Sequence, residues 1–220
     1  GIDTYVKDSG SMNYGSATTL LATAGTTYPM SRFDLAAIPA GAHVTSATLS
    51  AYASSGSGSG AVAAHRVMRD WTEAATWTSS DGTTAWTQAG GDVNSQALAS
   101  ATFTSAGNWL AWDLTSMVDK WVKGSLPNQG VQLRAAAGVT GLQIASSDSA
   151  SASQRPKLAV TFLPPCGWTS PDTTLTLGPT ADVDVNFDIP TTNFGAEPDL
   201  YVSKKIEARA SLPFDLSGVA

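Results

Sequence analysis

Short runs in which hydrophobic and polar residues alternate recur along this chain, and they limit its fold more than any other feature. In residues 44–53, "VTSATLSAYA", every second position from 47 to 53 is Ala or Leu. Residues 130–135 and 157–162 show the same period of two. Such alternation is typical of half-buried antiparallel strands, and Gly- and Pro-rich breaks between many short strands predict a β-sandwich or barrel. Further strands are expected near residues 2–7, 18–24, 29–35, 61–68, 109–114 and 139–146.

One segment departs from this period. In "DLTSMVDKWVKG" the apolar residues Met117, Val118, Trp121 and Val122 fall at helical spacing. Thr115 is placed to serve as N-cap and Gly124 as C-cap. The segment therefore predicts a short helix of about two turns that covers one open end of the sandwich.

The chain repeats its own opening. "SMNYGSATTLLAT" at 11–23 returns as "TTNFGAEPDLYVS" at 191–203, and the proline-rich stretch 163–179 separates the two copies. The matching anchors keep their spacing to within one residue, which indicates a true repeat. We therefore predict one complete β-domain at 1–163, a linker at 164–180, and the first strands of a second, incomplete β-sandwich repeat at 181–220.

A partial sandwich leaves an apolar face exposed to water, and the backbone N–H and C=O groups at its edges lack hydrogen-bond partners. It therefore needs another segment or chain to complete it. Strand addition between chains supplies such a partner, and a head-to-tail contact of this kind forms fibres. This predicts self-association through the incomplete repeat. Its candidate inter-subunit residues are Val183, Val185, Leu200, Val202, Phe214 and Leu216.

Composition excludes several classes of protein. The net charge is -6, and the 12 Lys and Arg residues do not cluster as a nucleic-acid surface requires. No apolar run approaches the roughly 18 residues that a membrane span needs. The single cysteine, Cys166, has no partner in the chain, so it is either an ordinary linker residue or forms an intermolecular disulfide. The surface, rich in Ser, Thr and Gly and poor in Lys, favours an extracellular or cell-surface location.

The order of several pieces resembles one known family. They are "SRFDLAAIPAGAHVTSATLSAYA", "HRVMRDWTEAATW", "WDLTSMVDKWVKGSLPNQGVQL" and "SSDSASASQRPKLAVTF". Together they resemble the DNRLRE-domain family of carbohydrate-binding-module-like β-sandwiches, over residues 2–163 and again, for its first third, over 181–220. The resemblance implies an all-β, antiparallel, jelly-roll-like sandwich, extracellular residence and no catalysis. It leaves the ligand open, because such modules serve both as glycan binders and as spacers in surface proteins.

Catalytic motifs are missing from the sequence. Hydrolysis of a glycan needs two facing carboxylates, and the chain has only three Glu residues. Asp70 and Glu73 flank Trp71 and are better interpreted as groups that hold a surface loop by hydrogen bonds. We therefore predict that the protein is not an enzyme.

No cofactor is predicted, and calcium has only weak support. Asp182, Asp184 and Asp188 lie close together in "ADVDVNFD", and carboxylate oxygens suit calcium. The glycine and terminal Glu of an EF-hand loop are absent, so a solvated strand face is the simpler interpretation. The loop "SSDSASAS" at 146–153 is likewise a conceivable ion site that is better interpreted as a polar loop.

Aromatic residues are the remaining candidates for binding a ligand. Exposed indoles stack on the apolar C–H faces of sugar rings. The candidate glycan contacts are Trp86, Trp77, Trp71 and Tyr14. Trp71 and Trp77 match positions of the resembled family and are expected to pack beneath their loop, so Trp86 is the candidate expected to be exposed, followed by Tyr14.

Two functions follow from these observations. The first is a non-catalytic extracellular structural or adhesive protein, a subunit of a surface or filamentous assembly of tandem β-sandwich units. The alternative is a carbohydrate-binding module that targets a polysaccharide through its aromatic loop.

Overall fold

The computed structural model describes residues 1–8 and 11–165, together with two short strands at 183–185 and 209–211. Contacts between Cα atoms divide the chain into two compact units, Gly1–Trp168 and Thr169–Ala220. Most of what can be described belongs to the first unit. It contains ten strands, one α-helix and one turn of 3-10 helix at Ala152–Gln154.

The strands follow one another in chain order. They are β1 (Ile2–Lys7), β2 (Thr19–Ala22), β3 (Thr27–Arg32), β4 (His43–Gly58), β5 (Gly60–Val67), β6 (Val93–Phe103), β7 (Asn108–Asp113), β8 (Val131–Ala135), β9 (Val139–Ala145) and β10 (Lys157–Leu163). The helix α1 (Thr115–Val122) lies between β7 and β8.

These strands form two antiparallel five-stranded sheets. The first sheet has the order β1-β3-β8-β5-β6. The second is built around the 16-residue strand β4, which pairs with β7, β9 and β10, while β2 joins the far side of β9. The predicted all-β antiparallel sandwich with one short helix is therefore confirmed.

The main core lies between the two sheets and follows from the period of two. The residues at 47, 49, 51 and 53 of β4 are all at most 2% exposed. Trp112 of β7 is buried beside them and donates its indole N–H to the carbonyl oxygen of Val62 at 2.7 Å. Helix α1 adds Val118 and Trp121 to the same core. The predicted short helix is present, but both predicted caps are displaced by one residue: Leu114 and not Thr115 is the N-cap, and Lys123 and not Gly124 is the C-cap. The Asp113 carboxylate accepts from the Thr115 amide at 2.9 Å.

A second, smaller core lies on the face of the first sheet that is turned away from the main core. The segment 68–92 folds over this sheet and buries Trp71, Ala75 and Trp86 against Val6, Met30 and Val67. Since residues of β1 alternate between the two cores, Tyr5 belongs to the main core and Val6 to the smaller one. This segment therefore gives the first sheet a covered outer face.

The Asn13-Tyr14-Gly15 motif, which opens the repeat, fastens the start of the chain to this covering segment. The Asn13 side-chain amide donates to the backbone carbonyls of Glu73 and Ala75. Tyr14 stacks on Tyr5 with 4.1 Å between ring centroids. The motif thus has a structural role in the first unit.

In the second unit, Val183–Val185 pairs antiparallel with Arg209–Ser211. The predicted inter-subunit residues Leu200, Val202, Phe214 and Leu216 lie outside the described residues, as does Cys166. The linker at 164–180 also lies almost entirely outside them. The predicted domain boundaries and self-association therefore remain predictions. Across the described part of the chain, no helix has the length and apolar character that a bilayer crossing requires.

Candidate functional site

The outer face of the second sheet carries side chains that are exposed or half-buried along three neighbouring strands. On β7 they are Trp109, Ala111 and Asp113; on β4, Thr48, Ser50 and Tyr52; on β10, Lys157, Ala159 and Thr161. Most are small, so this part of the sheet has a low relief. The contrast with the first sheet, whose outer face is packed against segment 68–92, makes this the better placed surface for a ligand.

Trp109 is the most prominent side chain on this face. It is 39% exposed, and it is the only aromatic residue among the large exposed hydrophobic side chains that the structure describes. Its cross-strand partner is Tyr52, whose ring meets it edge-on with 5.6 Å between centroids. The Lys157 ammonium group lies 4.5 Å from the centroid of the Trp109 ring. Ser50 is the cross-strand partner of Lys157 and lies on the same face of β4 as Tyr52. We call the four residues Trp109, Tyr52, Lys157 and Ser50 the Trp109 surface.

The Trp109 surface combines the groups that bind sugars. An indole held between a tyrosine ring and an ammonium group has its orientation restricted before a ligand arrives, which lowers the entropic cost of binding. Its exposed part is available to the C–H face of a pyranose ring. The Tyr52 hydroxyl, the Ser50 hydroxyl and the Lys157 ammonium group supply hydrogen bonds to sugar hydroxyls.

A sequence signal for Trp109 exists within the strand predicted at 109–114. In "NWLAWDL" Trp109 lies one position from Leu110 and three from Trp112, so a period of two puts it on the opposite side of the strand from both. The structure has Leu110 and Trp112 buried at 4% and 1% exposure. An aromatic residue out of phase with its apolar neighbours is the signal that the sequence-based search for ligand contacts missed.

The expectation that Trp86 is exposed is wrong. Trp86 is 6% exposed and donates its indole N–H to the Thr76 carbonyl oxygen at 3.0 Å. Trp71 is 1% exposed and donates to the Gln129 carbonyl oxygen at 2.8 Å, in keeping with the expectation that it packs beneath the loop. Both indoles are buried because the covering segment needs large apolar groups to pack on the first sheet. In this conformation neither indole presents a free face to a sugar.

The two remaining aromatic candidates, Trp77 and Tyr14, are half-buried. Trp77 stacks on Tyr28 with 5.5 Å between centroids, and Tyr14 stacks on Tyr5. One ring face of each is therefore occupied by another aromatic ring. Their role as glycan contacts remains a prediction.

A groove of about 680 Å³ lies near the ends of β5 and β6. The exposed side chain of Met68 lines it, with the polar side chains of Thr87, Gln88 and Asn94. Its charged groups are already paired, since the Arg69 guanidinium contacts the Asp92 carboxylate at 2.7 Å. This groove lacks an exposed aromatic ring and is a second possible ligand position.

Of the two acidic residues that flank Trp71, Asp70 takes part in holding the loop. Asp70 is bound to the Arg32 guanidinium, which also donates to the Trp71 carbonyl oxygen at 3.0 Å. Arg32 further lies over the Trp71 ring, 5.4 Å from its centroid. This arrangement agrees with the interpretation that Asp70 helps to hold a loop.

The calcium prediction remains open for the second unit. Asp182 and Asp188 lie outside the described residues, and only the backbone of Asp184 is described. Within the described residues, no three His, Cys, Asp or Glu side chains are grouped so that they hold a metal ion together.

In a comparison with known protein families, residues 1–162 match the model of carbohydrate-binding module family 96. The chain belongs to this family. The match spans the whole sandwich described above and supports the carbohydrate-binding-module part of the predicted resemblance. A search of curated proteins found no match. Since modules of this type are non-catalytic and bind carbohydrate, the family favours the polysaccharide-binding hypothesis over the structural or adhesive one.

Proposed function

We propose that the sandwich domain is a non-catalytic, extracellular module that binds a polysaccharide through the Trp109 surface. One observation supports this most directly. In a member of a carbohydrate-binding family, the one large exposed aromatic side chain among the described residues lies on the open outer face of the second sheet. The narrower DNRLRE-type assignment and the extracellular location are part of the same proposal.

The low relief of the face suits an extended ligand. Apart from Trp109, Tyr52 and Lys157, its side chains are Ala, Ser, Thr and Asp, which leave room for a chain that crosses β7, β4 and β10. One sugar ring stacks on Trp109 while neighbouring rings donate to and accept from the short polar side chains. Each loss of about 1.4 kcal/mol from the binding free energy lowers the affinity about tenfold.

The test measures binding of the whole chain to neutral and acidic polysaccharides by affinity electrophoresis and isothermal titration calorimetry. We expect Trp109→Ala to weaken binding about 5- to 30-fold, because stacking with the indole is worth roughly 1–2 kcal/mol. Trp109→Phe should recover part of the loss. Thermal unfolding of each variant checks that the fold is retained.

Met68→Ala is the matched control, since it truncates another exposed apolar side chain on the groove near β5 and β6. Under the proposal this variant binds as the unsubstituted protein does. If Met68→Ala weakens binding and Trp109→Ala does not, the ligand lies in the groove and the proposed surface is wrong. If the protein binds no polysaccharide of either charge class, the proposed function fails.

A further inference from the structure

Arg134 lies on the outer face of the first sheet, and its guanidinium group is held in place but only partly used. Its neighbours on β8, Leu133 and Ala135, both point into the main core. The guanidinium carbon lies 4.7 Å from the centroid of the Tyr28 ring, and Nε donates to the side-chain oxygen of Gln132 at 2.9 Å. Among the described residues, no acceptor bonds to its two Nη groups and no carboxylate forms an ion pair with it. Four N–H donors are therefore available to a ligand.

The covering segment 68–92 fixes the groups that hold this guanidinium. Gln132 is fully buried, and its side-chain amide donates to the Gly90 carbonyl oxygen at 2.7 Å. The Gly90 amide donates in turn to the carbonyl oxygen of Trp77 at 2.7 Å, and the Trp77 ring stacks on Tyr28. Arg134 is thus oriented before a ligand arrives, which lowers the entropic cost of binding.

The covering segment packs on one end of this face and leaves the neighbouring part of β8, β5 and β6 accessible. Arg134 pairs with Ala63 on β5, and Ala63 pairs with Ser100 on β6. The first two side chains are half-buried and Ser100 is exposed, as are Ala61 and Thr102 in the next pair. Small side chains therefore form a strip about 10 Å wide beside the guanidinium group. We call Arg134, Ala63 and Ser100 the Arg134 surface.

The Arg134 surface and the Trp109 surface face in opposite directions. They lie on the outer faces of the two sheets that enclose the main core. Stacked sheets are about 10 Å apart, and the side chains of both outer faces add to that distance. One straight segment of a polysaccharide therefore cannot contact both surfaces at once.

We propose that the Arg134 surface binds a second polysaccharide chain, so that one domain bridges two chains. This inference rests on the proposed function and adds a second site to it. The free N–H groups of Arg134 form a planar fork that matches two neighbouring oxygen atoms, which a sugar supplies as a carboxylate or as adjacent hydroxyls. The Ser100 hydroxyl bonds to a further sugar oxygen. Because this surface lacks an exposed indole, it is the weaker of the two, and Trp109 dominates the affinity for a single chain.

The test uses the whole chain and two probes, polygalacturonate as the acidic polysaccharide and xyloglucan as the neutral one. Calorimetric titration with short oligosaccharides of each probe counts the sites, and we expect two per chain. Light scattering of mixtures with the intact polymers measures bridging. We expect particles that grow as protein is added and shrink when protein is in excess, because each domain then holds one chain. Binding that weakens with salt identifies a carboxylate as the source of the oxygen pair, and salt-independent binding identifies hydroxyls.

Three variants distinguish the Arg134 surface from a site elsewhere. Arg134→Met keeps an apolar group over Tyr28 and removes the donors, so we expect one site, unchanged affinity at that site and no bridging. Ser100→Glu changes an exposed residue and should have the same effect, because its carboxylate can pair with the guanidinium group across Ala63. The matched control is Arg155→Met, which removes another guanidinium whose Nε bonds to a protein oxygen, the Ser149 carbonyl at 2.9 Å. This control should retain both sites and bridging.

Thermal unfolding checks the fold of each variant, and Ser100→Glu decides the question if Arg134→Met lowers the Tm. A single site that Trp109→Ala removes, with no bridging, would overturn this inference and leave the proposed function intact. Two sites that both survive Arg134→Met and Ser100→Glu would place the second chain elsewhere and also overturn it. A single site that Arg134→Met removes and Trp109→Ala does not would contradict both the bridging and the proposed Trp109 surface. Binding of neither probe would overturn the inference as well.

Discussion

Carboxylates of this domain fall into two groups with opposite responses to pH. Burial raises the pKa of Asp3 above its ordinary value of 3.8. Hydrogen bonds act in the other direction elsewhere. The amides of Thr84 and Thr83 hold the pKa of Asp81 well below 3.8, and the hydroxyl and amide of Thr115 lower the pKa of Asp113. The folded state therefore favours protonated Asp3 and ionised Asp81 and Asp113.

These shifts predict two pH windows in the free energy of unfolding of the protein. Because the folded-state pKa of Asp3 is raised, its stabilising contribution is present below pH 3.8 and is lost as the pH rises through that pKa. The contributions of Asp81 and Asp113 are present above 3.8 and are lost as the pH falls through their lowered values. Urea unfolding at a series of pH values measures both. Asp3→Asn should remove the loss at rising pH and leave the acid-side loss unchanged, and an unaltered profile in that variant would contradict the assignment.

Two tryptophans that look alike in the sequence have opposite structural roles. Trp86 is buried in the smaller core and hydrogen-bonded to Thr76, whereas Trp109 is exposed on the second sheet. We expect Trp86→Ala to lower the free energy of unfolding by about 3 kcal/mol, because it leaves a cavity and an unpaired carbonyl. Trp109→Ala should change it by less than about 1 kcal/mol. Denaturant unfolding of the two variants, side by side, gives the comparison, and equal losses would mean that Trp109 also packs in a core.

At the scale of secondary-structure elements, the Asn13-Tyr14-Gly15 motif depends on a close approach between two segments. A Cβ atom at Gly15 would collide with the backbone of Glu73. We therefore expect Gly15→Ala to push the 13–15 segment away from the covering segment and to lower the free energy of unfolding by roughly 1–3 kcal/mol. Ser16→Ala, at the next and exposed position, is the control. If both variants unfold at the same denaturant concentration, the close approach carries no stability.

The long strand β4 organises the second sheet. It pairs with β7 along one edge, and with β10 and then β9 along the other, with register shifts near Ser55. The same strand contacts helix α1 through Asp119, whose carboxylate accepts the Val44 amide at 3.0 Å. Because β4 joins four other elements, its opening would break the whole sheet. We therefore expect the backbone amides of β4 to be among the most strongly protected from hydrogen exchange.

At the scale of the whole molecule, the family match ends at residue 162 and the last strand of the sandwich ends at Leu163. We expect a chain truncated after residue 165 to fold cooperatively and to bind polysaccharide with unchanged affinity. Circular dichroism during thermal unfolding and calorimetric titration measure these two properties. A truncated chain that aggregates or loses its binding would show that the first unit needs residues beyond 165.

Comparison of the same two chains also tests the structural or adhesive hypothesis. That hypothesis expects the full chain to assemble with rising concentration through residues 181–220, while the truncated chain remains monomeric. Sedimentation velocity over a range of concentrations measures the difference. Equal, concentration-independent masses would contradict self-association and leave polysaccharide binding as the remaining function.

Alternation along the sequence predicted most strands and, within residues 44–53, 130–135 and 157–162, which residues share a face, since the pleat places every second side chain on one face whatever lies elsewhere in the chain. Strand β4, with Leu49 among its buried positions, is an example. Alternation did not predict that Gln132, on the polar face of its strand, is buried. Strand β6 was not predicted, because its Ala, Ser and Gln residues lack a clear apolar period. Helix α1 was predicted because its spacing of apolar residues is equally local.

Only the tertiary structure decided which outward-facing residues stay exposed. Trp86 becomes buried because segment 68–92 folds across the first sheet, and Trp109 remains exposed because it points outward from the second sheet. Asp3 likewise loses its contact with water only when β1 and the loop after β9 meet. The period of a strand is a property of neighbours in sequence. The covering of a face depends on contacts between segments far apart in the chain, and those contacts decide where a ligand can bind.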